Sequence, residues 1–143
     1  MKKSRFGSKA GFTLVELMVV AIIVAILAAV AIPLMSANKK RAAATEGEAG
    51  LGTIRSALRA MYAETGSYAV TPNGAGLVAG PVAGVVPGMS VGDLNGRYFA
   101  DGNYTISSIS ASSYVLQVVG TTGNVAGVTI TLDVAGNWNR SGL

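Results

Sequence analysis

The chain has 143 residues, which is enough for one modest domain and one long secondary-structure element. It contains no cysteine and no histidine, which excludes disulfides, thiolate metal sites and the commonest general base. Half of the residues are apolar and only 13% are charged, whereas about a quarter are charged in a typical soluble domain. This composition suits a membrane segment joined to a small, turn-rich β domain.

The formal net charge of +4 comes from a short N-terminal arm that contains Lys2, Lys3, Arg5 and Lys9. From Phe12 onward the basic and acidic side chains balance, with seven of each. A nucleic-acid-binding face needs clustered lysine and arginine. We therefore predict no nucleic-acid partner.

Residues Leu17 to Met35 form a run of nineteen residues without a charge or a strongly polar side chain. As a helix the run would span about 28 Å, close to the ~30 Å core of a bilayer. The basic arm before it favours a cytoplasmic N-terminus, whereas Lys39, Lys40 and Arg41 after it favour the opposite orientation.

A cleaved secretory signal is an alternative interpretation of the same segment. Signal peptides have an apolar region of ~7–15 residues followed by a small-x-small cleavage site. The run here is longer, and Met35-Ser36-Ala37 places a large side chain where a small one is needed. The pattern therefore favours an anchor that is retained.

Two residues of this segment are unusual. Glu16 lies at the edge of the apolar run, where a carboxylate is costly unless it has a partner. Thr13-x-x-Glu16 has the spacing of a capping box, which offers a purely local role for the acid. Pro33 lacks the N–H that a helix interior uses, so it loosens or kinks the helix around Ala29 to Pro33.

The stretch from Lys9 to Val20, Lys-Ala-Gly-Phe-Thr-Leu-Val-Glu-Leu-Met-Val-Val, resembles the processing signature of type IV pilins and type II secretion pseudopilins. In that family a short basic leader ends in glycine, and Phe-Thr-Leu-(Ile/Val)-Glu-Leu and a long apolar run follow. The resemblance is strong over residues 7–35, continues less sharply to Tyr68, and is weak beyond it. The segments Asp93–Phe99 and Tyr104–Ile106 are also similar to small bacterial pilins.

This resemblance implies that a membrane-embedded prepilin peptidase cuts between Gly11 and Phe12 and then N-methylates Phe12. It further implies that the Glu16 carboxylate of one subunit faces the Phe12 amine of a neighbour in a filament. Pro33 matches the helix-loosening proline of the family. We therefore expect Gly11, Phe12, Glu16 and Pro33 to be the functional positions.

The same resemblance implies partners and a location. The subunit would form a homopolymer, assisted by an inner-membrane assembly platform and a separate ATPase, with the lipid bilayer as its surroundings before assembly. It would be a single-pass protein of the inner membrane and then part of a surface filament. As a pseudopilin it would instead form a periplasmic fibre.

After Pro33 we expect the helix to continue to about Glu64, with Gly66 as its C-cap. Leu51, Ile54, Leu58 and Met61 recur at helical spacing and predict one buried stripe. Three glycines interrupt this half of the helix, which indicates either close packing against a sheet or a flexible stretch; they are Gly47, Gly50 and Gly52.

The remainder predicts a long loop and an antiparallel sheet. Residues 70–97 contain three prolines and many glycines, which indicates a loop over the sheet with space for one short strand. Alternating or β-prone residues predict strands at 104–109, 113–119 and 128–134, with turns at 120–127 and 135–137. Trp138 would then tuck back onto the sheet.

Two further features bear on ligands and on fastening of the fold. Asp93 and Asp101 flank a glycine-rich loop, where turn formation is the simpler role and calcium the alternative. We predict no cofactor and no metal site. All five tyrosines, Phe99 and Trp138 are expected to be core or interface residues. Many pilins close their C-terminal loop with a cysteine pair, which this chain lacks, so the fastening of its C-terminal end is left open.

The predicted fold is α+β, a long N-terminal helix with a small antiparallel sheet packed on its second half. We divide the chain into a cleaved leader (1–11), an apolar transmembrane and assembly helix (12–36) and a globular head (37–143). The head consists of a helix half (37–65), a loop (66–97) and the sheet (98–143).

The predicted function is a structural subunit of a type IV pilus and not an enzyme, since no catalytic constellation is present. The nearest alternative is the major pseudopilin of a type II secretion system. A monomeric membrane-anchored periplasmic binding module is the alternative from another class.

Overall fold

The structure is a computed structural model that describes residues 11–143. One long helix, α1 (Leu14–Thr65), precedes five strands, and this order confirms the predicted α+β class. The strands are β1 (Gly80–Pro81), β2 (Tyr104–Ile109), β3 (Tyr114–Val119), β4 (Thr129–Asp133) and β5 (Trp138–Ser141). Single turns of 3₁₀-helix lie at Asp101–Asn103 and Gly123–Val125. The predicted leader, apart from Gly11, lies outside the described residues.

The chain divides into two compact units between Met35 and Ser36. We call the part up to Met35 the N-terminal unit and Ser36–Leu143 the C-terminal unit. Within the described residues the N-terminal unit is the first part of α1 and the three residues before it. The C-terminal unit contains the rest of α1 and the sheet.

The end of α1 has the predicted C-cap. Helix geometry stops at Thr65, and Gly66 follows with a φ of +71°, a left-handed conformation that glycine adopts without a steric penalty. The N–H of Gly66 donates to the carbonyl oxygen of Tyr62 at 2.8 Å, which satisfies one of the free carbonyls of the last turn.

The five strands form one antiparallel sheet in the order β1-β2-β3-β4-β5. The three predicted strands are present with bounds within one residue of those expected, and the turn at 135–137 is confirmed. Trp138 returns to the sheet opposite Leu132, as the first residue of a fifth strand that the sequence did not predict. The two-residue β1 is the short strand allowed for in the loop.

The core of the C-terminal unit lies between α1 and the sheet. The predicted stripe is confirmed, since Leu51, Ile54 and Leu58 have no solvent exposure and Met61 is 2% exposed. Alternate residues of the strands are buried on the facing side of the sheet, as half-buried strands require. The loop before β2 adds buried side chains to the same cluster, namely Tyr68, Leu77, Val82, Val86, Met89, Leu94 and Phe99.

Two of the three helix glycines allow close approach of the sheet. A Cβ at Gly47 would lie 3.1 Å from side-chain methyls of Val118 and Ile130. A Cβ at Gly50 would lie 2.5 Å from Cε1 of Tyr104, whose ring is buried. Nothing lies within 4 Å of a Cβ at Gly52. The close-packing interpretation therefore holds for Gly47 and Gly50, and no contact accounts for Gly52.

The C-terminal end is fastened without a disulfide. Strand β5 pairs with β4 over four residues, from Thr129 opposite Ser141 to Leu132 opposite Trp138. Arg140 forms an ion pair with Glu48 of α1, and Lys40 Nζ donates to the carbonyl oxygen of Gly142 at 2.8 Å. Since surface ion pairs contribute little, the strand ladder is the main fastening.

The helix glycines give a matched pair of substitutions. We expect Gly50→Ala to lower the free energy of unfolding, because the new methyl group would displace the buried ring of Tyr104. We expect Gly52→Ala to raise it by about 0.8–1 kcal/mol, because alanine favours helix and meets no neighbour. Denaturant unfolding of both variants is the measurement. Equal effects of the two substitutions on the free energy of unfolding would contradict this account of the packing between α1 and the sheet.

Alkaline pH should destabilise the C-terminal unit through Tyr104. Burial, and then the negative charges of Glu46 and Asp101, raise the pKa of Tyr104 from 10.0 to about 12. Above pH ~10 the unfolded chain loses this proton while the folded chain keeps it, so stability falls as the pH rises towards 12. Unfolding measured between about pH 9 and pH 11 should show this loss. Tyr104→Phe should make the decline shallower, and an unchanged slope would refute the assignment.

Candidate assembly site

The start of α1 is organised by a reciprocal capping box between Thr13 and Glu16. The backbone N–H and the hydroxyl of Thr13 both donate to Glu16 Oε2, at 2.8 and 2.9 Å. The N–H of Glu16 donates to Thr13 Oγ1 at 3.2 Å. These bonds satisfy N–H groups that have no partner within the helix, which explains why helix geometry begins at Leu14.

The capping box uses only one oxygen of the Glu16 carboxylate. Among residues 11–143, no group donates to Glu16 Oε1, whereas Oε2 accepts both bonds from Thr13. A carboxylate oxygen has more than one lone pair, so Oε1 can accept a hydrogen bond from outside the chain. The local role of Glu16 and a role in pairing are therefore compatible at the same time.

The neighbours of Glu16 are open to an approaching protein or lipid. Phe12 is 84% exposed, and a Cβ built at Gly11 has no atom within 4 Å. Gly11, Phe12 and Glu16 lie together at the beginning of the helix. Pro33 lies seventeen residues after Glu16, about 26 Å along a regular helix, so it is a separate position.

Pro33 lies inside α1, and helix geometry is assigned on both sides of it. Proline here still removes one N–H from the helix, since it has no backbone hydrogen to donate. The loosening of the helix around Pro33 in a filament stays a prediction.

The apolar surface of the N-terminal unit has no cover within the structure. Every large apolar side chain from Phe12 to Met35 is between 49% and 87% exposed. The helix is long and apolar enough to cross a membrane. Soluble proteins rarely expose so much contiguous apolar surface, so lipid or other protein must cover it.

A second acidic residue, Glu46, fixes the loop before β2, and the sequence reasoning missed it. Its Oε1 accepts the N–H groups of Tyr98 and Phe99 at 2.8 and 2.9 Å, and its Oε2 accepts that of Arg97 at 3.0 Å. A Cβ at Gly96 would collide with this carboxylate, so the glycine leaves room for it. No local sequence pattern predicts a contact between residues that are more than fifty positions apart in the chain.

Asp93 and Asp101 have the turn-forming role. The two oxygens of Asp101 accept the N–H groups of Gly92 and Leu94, and Asp93 accepts that of Ser90. In the part of the chain that the structure describes, no three acidic residues are grouped as metal ligands would be. These carboxylates are therefore engaged by the backbone of their own loop.

Comparison with known proteins agrees with this picture. Residues 7–32 match the prokaryotic N-terminal methylation motif. The chain is 34% identical over 104 residues to the type IV major pilin protein PilA of Myxococcus xanthus strain DK1622. The aligned region is 71% of this chain but 47% of that protein, so the chain spans about half the length of this curated relative. No solved structure matches the chain significantly.

Glu46 and Glu48 offer a matched test of the loop anchor. We expect Glu46→Ala to lower the free energy of unfolding by about 2–3 kcal/mol, because three N–H groups lose a charged acceptor. Glu48→Ala should cost much less, since its ion pair with Arg140 is open to solvent. Denaturant unfolding measures both. A larger loss of stability in Glu48→Ala than in Glu46→Ala would contradict the role of Glu46 as the anchor of the loop.

Proposed function

We propose that this chain, a type IV pilin-like protein with the N-terminal methylation motif, is cut between Gly11 and Phe12 and polymerises into a pilus filament. The proposal rests on one observation above all. An exposed apolar helix carries a single acidic residue at its start. A filament of such subunits would cover the apolar side chains by bundling their helices. Lipid covers them before assembly.

Charge neutralisation would set the register of each arriving subunit. Cleavage before Phe12 creates a new amine, and methylation keeps its positive charge. In the apolar bundle an unpaired charge is costly, which favours the position where this amine meets Glu16 Oε1 of a neighbour. The capping box survives the cut, because the N–H of Thr13 remains an amide that donates to Oε2.

The proposal assigns a role to each predicted site residue. Gly11 places no side chain at the bond to be cut, which suits a narrow peptidase site. Phe12 becomes the methylated terminus, Glu16 pairs with it across the interface, and Pro33 allows the helix to loosen in the polymer. A prepilin peptidase, an inner-membrane assembly platform and a separate ATPase are the partners that this pathway requires.

The location follows from the same pathway. The uncut subunit would cross the inner membrane once, with its basic arm in the cytoplasm. The polymer would leave the membrane as an extracellular filament. The role is structural, and no step of it requires catalysis by the subunit.

Intact mass spectrometry of filament-derived protein tests the processing step. The expected chain begins at Phe12 and is heavier than the bare sequence by one methyl group. A subunit that is purified from filaments with its first eleven residues still attached would refute the proposed cleavage.

Two substitutions separate the pairing role of Glu16 from its capping role. Glu16→Gln removes the negative charge but leaves a side-chain oxygen that can still cap the helix, and we expect processed subunits that no longer form filaments. Thr13→Ala removes the hydroxyl of the box but keeps the charge, and we expect filaments to form. Electron microscopy of sheared material, with immunoblotting for cleavage, measures both. If Thr13→Ala lost its filaments and Glu16→Gln kept them, capping and not charge pairing would be the role of Glu16 in assembly.

A further inference from the structure

The C-terminal unit has a cleft that none of the predicted functions uses. Three segments line it: Lys39 from α1, Arg97 and Tyr98 from the loop before β2, and Thr122 and Val125 from the turn after β3. Its volume is about 310 Å³, equal to roughly ten water molecules at ~30 Å³ each. A group the size of a phosphate fits in this space.

The lining of the cleft consists mainly of hydrogen-bond donors. Lys39 offers three N–H groups, Arg97 offers five, and Thr122 offers a hydroxyl. The Arg97 guanidinium lies 5.9 Å from the ring centroid of Tyr98, within reach of a cation–π contact. Among residues 11–143 the one ion pair is Arg140 with Glu48, so neither cation of the cleft is neutralised by a paired carboxylate.

The carboxylate of Glu46 fixes one wall of the cleft and is not among the groups that line it. Both oxygens of Glu46 accept backbone N–H groups, from Arg97 on one side and from Tyr98 and Phe99 on the other. The backbone that carries the Arg97 side chain is therefore fixed before any ligand arrives. Preorganisation of this kind lowers the entropic cost of binding.

The position of Lys39 in the chain brings the cleft close to the membrane surface. Lys39 follows Met35, the end of the apolar run, by four residues. Four residues span about 6 Å as a helix and at most about 14 Å when extended. The headgroup layer on each side of a bilayer is about 5–7 Å thick, so Lys39 lies at or near the lipid phosphates when the run spans the membrane.

We propose that this cleft binds the phosphate of an anionic phospholipid headgroup while the subunit is anchored in the membrane. Lys39 and Arg97 supply the positive charge, and Thr122 adds a hydroxyl donor. The inference rests on membrane anchoring but not on polymerisation.

A carboxylate of a second copy is the competing occupant, and Glu64 is the candidate from the C-terminal unit. Glu64 is exposed and accepts no hydrogen bond among the described residues. The lipid is favoured because chain connectivity alone brings Lys39 to the headgroup layer, whereas nothing in the structure brings Glu64 of another copy to the cleft.

The full, uncut chain in nonionic detergent micelles provides the test. Short-chain phosphatidylglycerol is titrated in, and amide chemical shifts of Arg97, Tyr98 and Thr122 report on binding. The double variant Lys39→Gln/Arg97→Gln should weaken binding about 25-fold, since each cation near an anionic headgroup contributes a factor of about five. The fold should persist, because Glu46 binds the backbone at position 97 and not its side chain.

The matched control is Arg41→Gln/Arg59→Gln, which removes the same charge from exposed positions outside the cleft. We expect the affinity for the lipid to fall by about fivefold at most. Only Arg41 can contribute to this loss, because Arg59 lies more than a Debye length from Lys39 along α1. Equal losses in the two double variants would overturn the proposal, since binding would then reflect diffuse charge.

Two further measurements identify the source of the anion. Inorganic phosphate should cause much smaller shifts than the lipid at the same concentration, and equal saturation by free phosphate would overturn the lipid assignment. If the shifts instead appear without lipid as protein concentration rises and disappear in Glu64→Gln, the occupant is a second copy and the proposal is wrong. Neither result depends on cleavage or on filament formation.

Discussion

Apolar surface on the first half of α1 is the constraint on which the rest of the molecule depends. Water disfavours such surface by about 25 cal/mol per Å², and each large side chain from Phe12 to Met35 leaves at least 49% of its area open. A chain of 143 residues that exposes this helix requires other molecules to complete its burial. In the proposed filament the acidic residue at position 16 would make that requirement selective, since an apolar partner would also have to supply a positive charge.

The C-terminal unit is a domain that consists of one helix and a small sheet, and its stability has a different origin. Without cysteine it depends on close packing, and Gly47 and Gly50 let the sheet approach the helix where larger residues would hold it away. The aromatic rings fill the space between the layers. Phe99 and Tyr104 meet edge-to-face at 6.1 Å, and Tyr68 meets Tyr114 in the same way at 4.8 Å.

Much of this architecture could be predicted from the sequence, because local patterns determine it. The Thr13–Glu16 spacing predicted the start of α1, Gly66 its end, and alternation the strands β2 and β4. Strand β5 was missed because its four residues are all exposed, which leaves no apolar alternation to detect. The Glu46 contact was missed because it joins distant segments through backbone N–H groups, which no residue type signals. Assembly roles belong to more than one subunit, so a single chain does not display them.

Recognition through the backbone leaves the side chain at position 97 free to vary. Glu46 binds the N–H of position 97, which every amino acid except proline possesses, so the exposed side chain there can be exchanged while the loop keeps its conformation. The exposed side chain at position 97 is thus separated from the stability of the domain. A surface built in this way can change its chemistry while the scaffold beneath it keeps its fold.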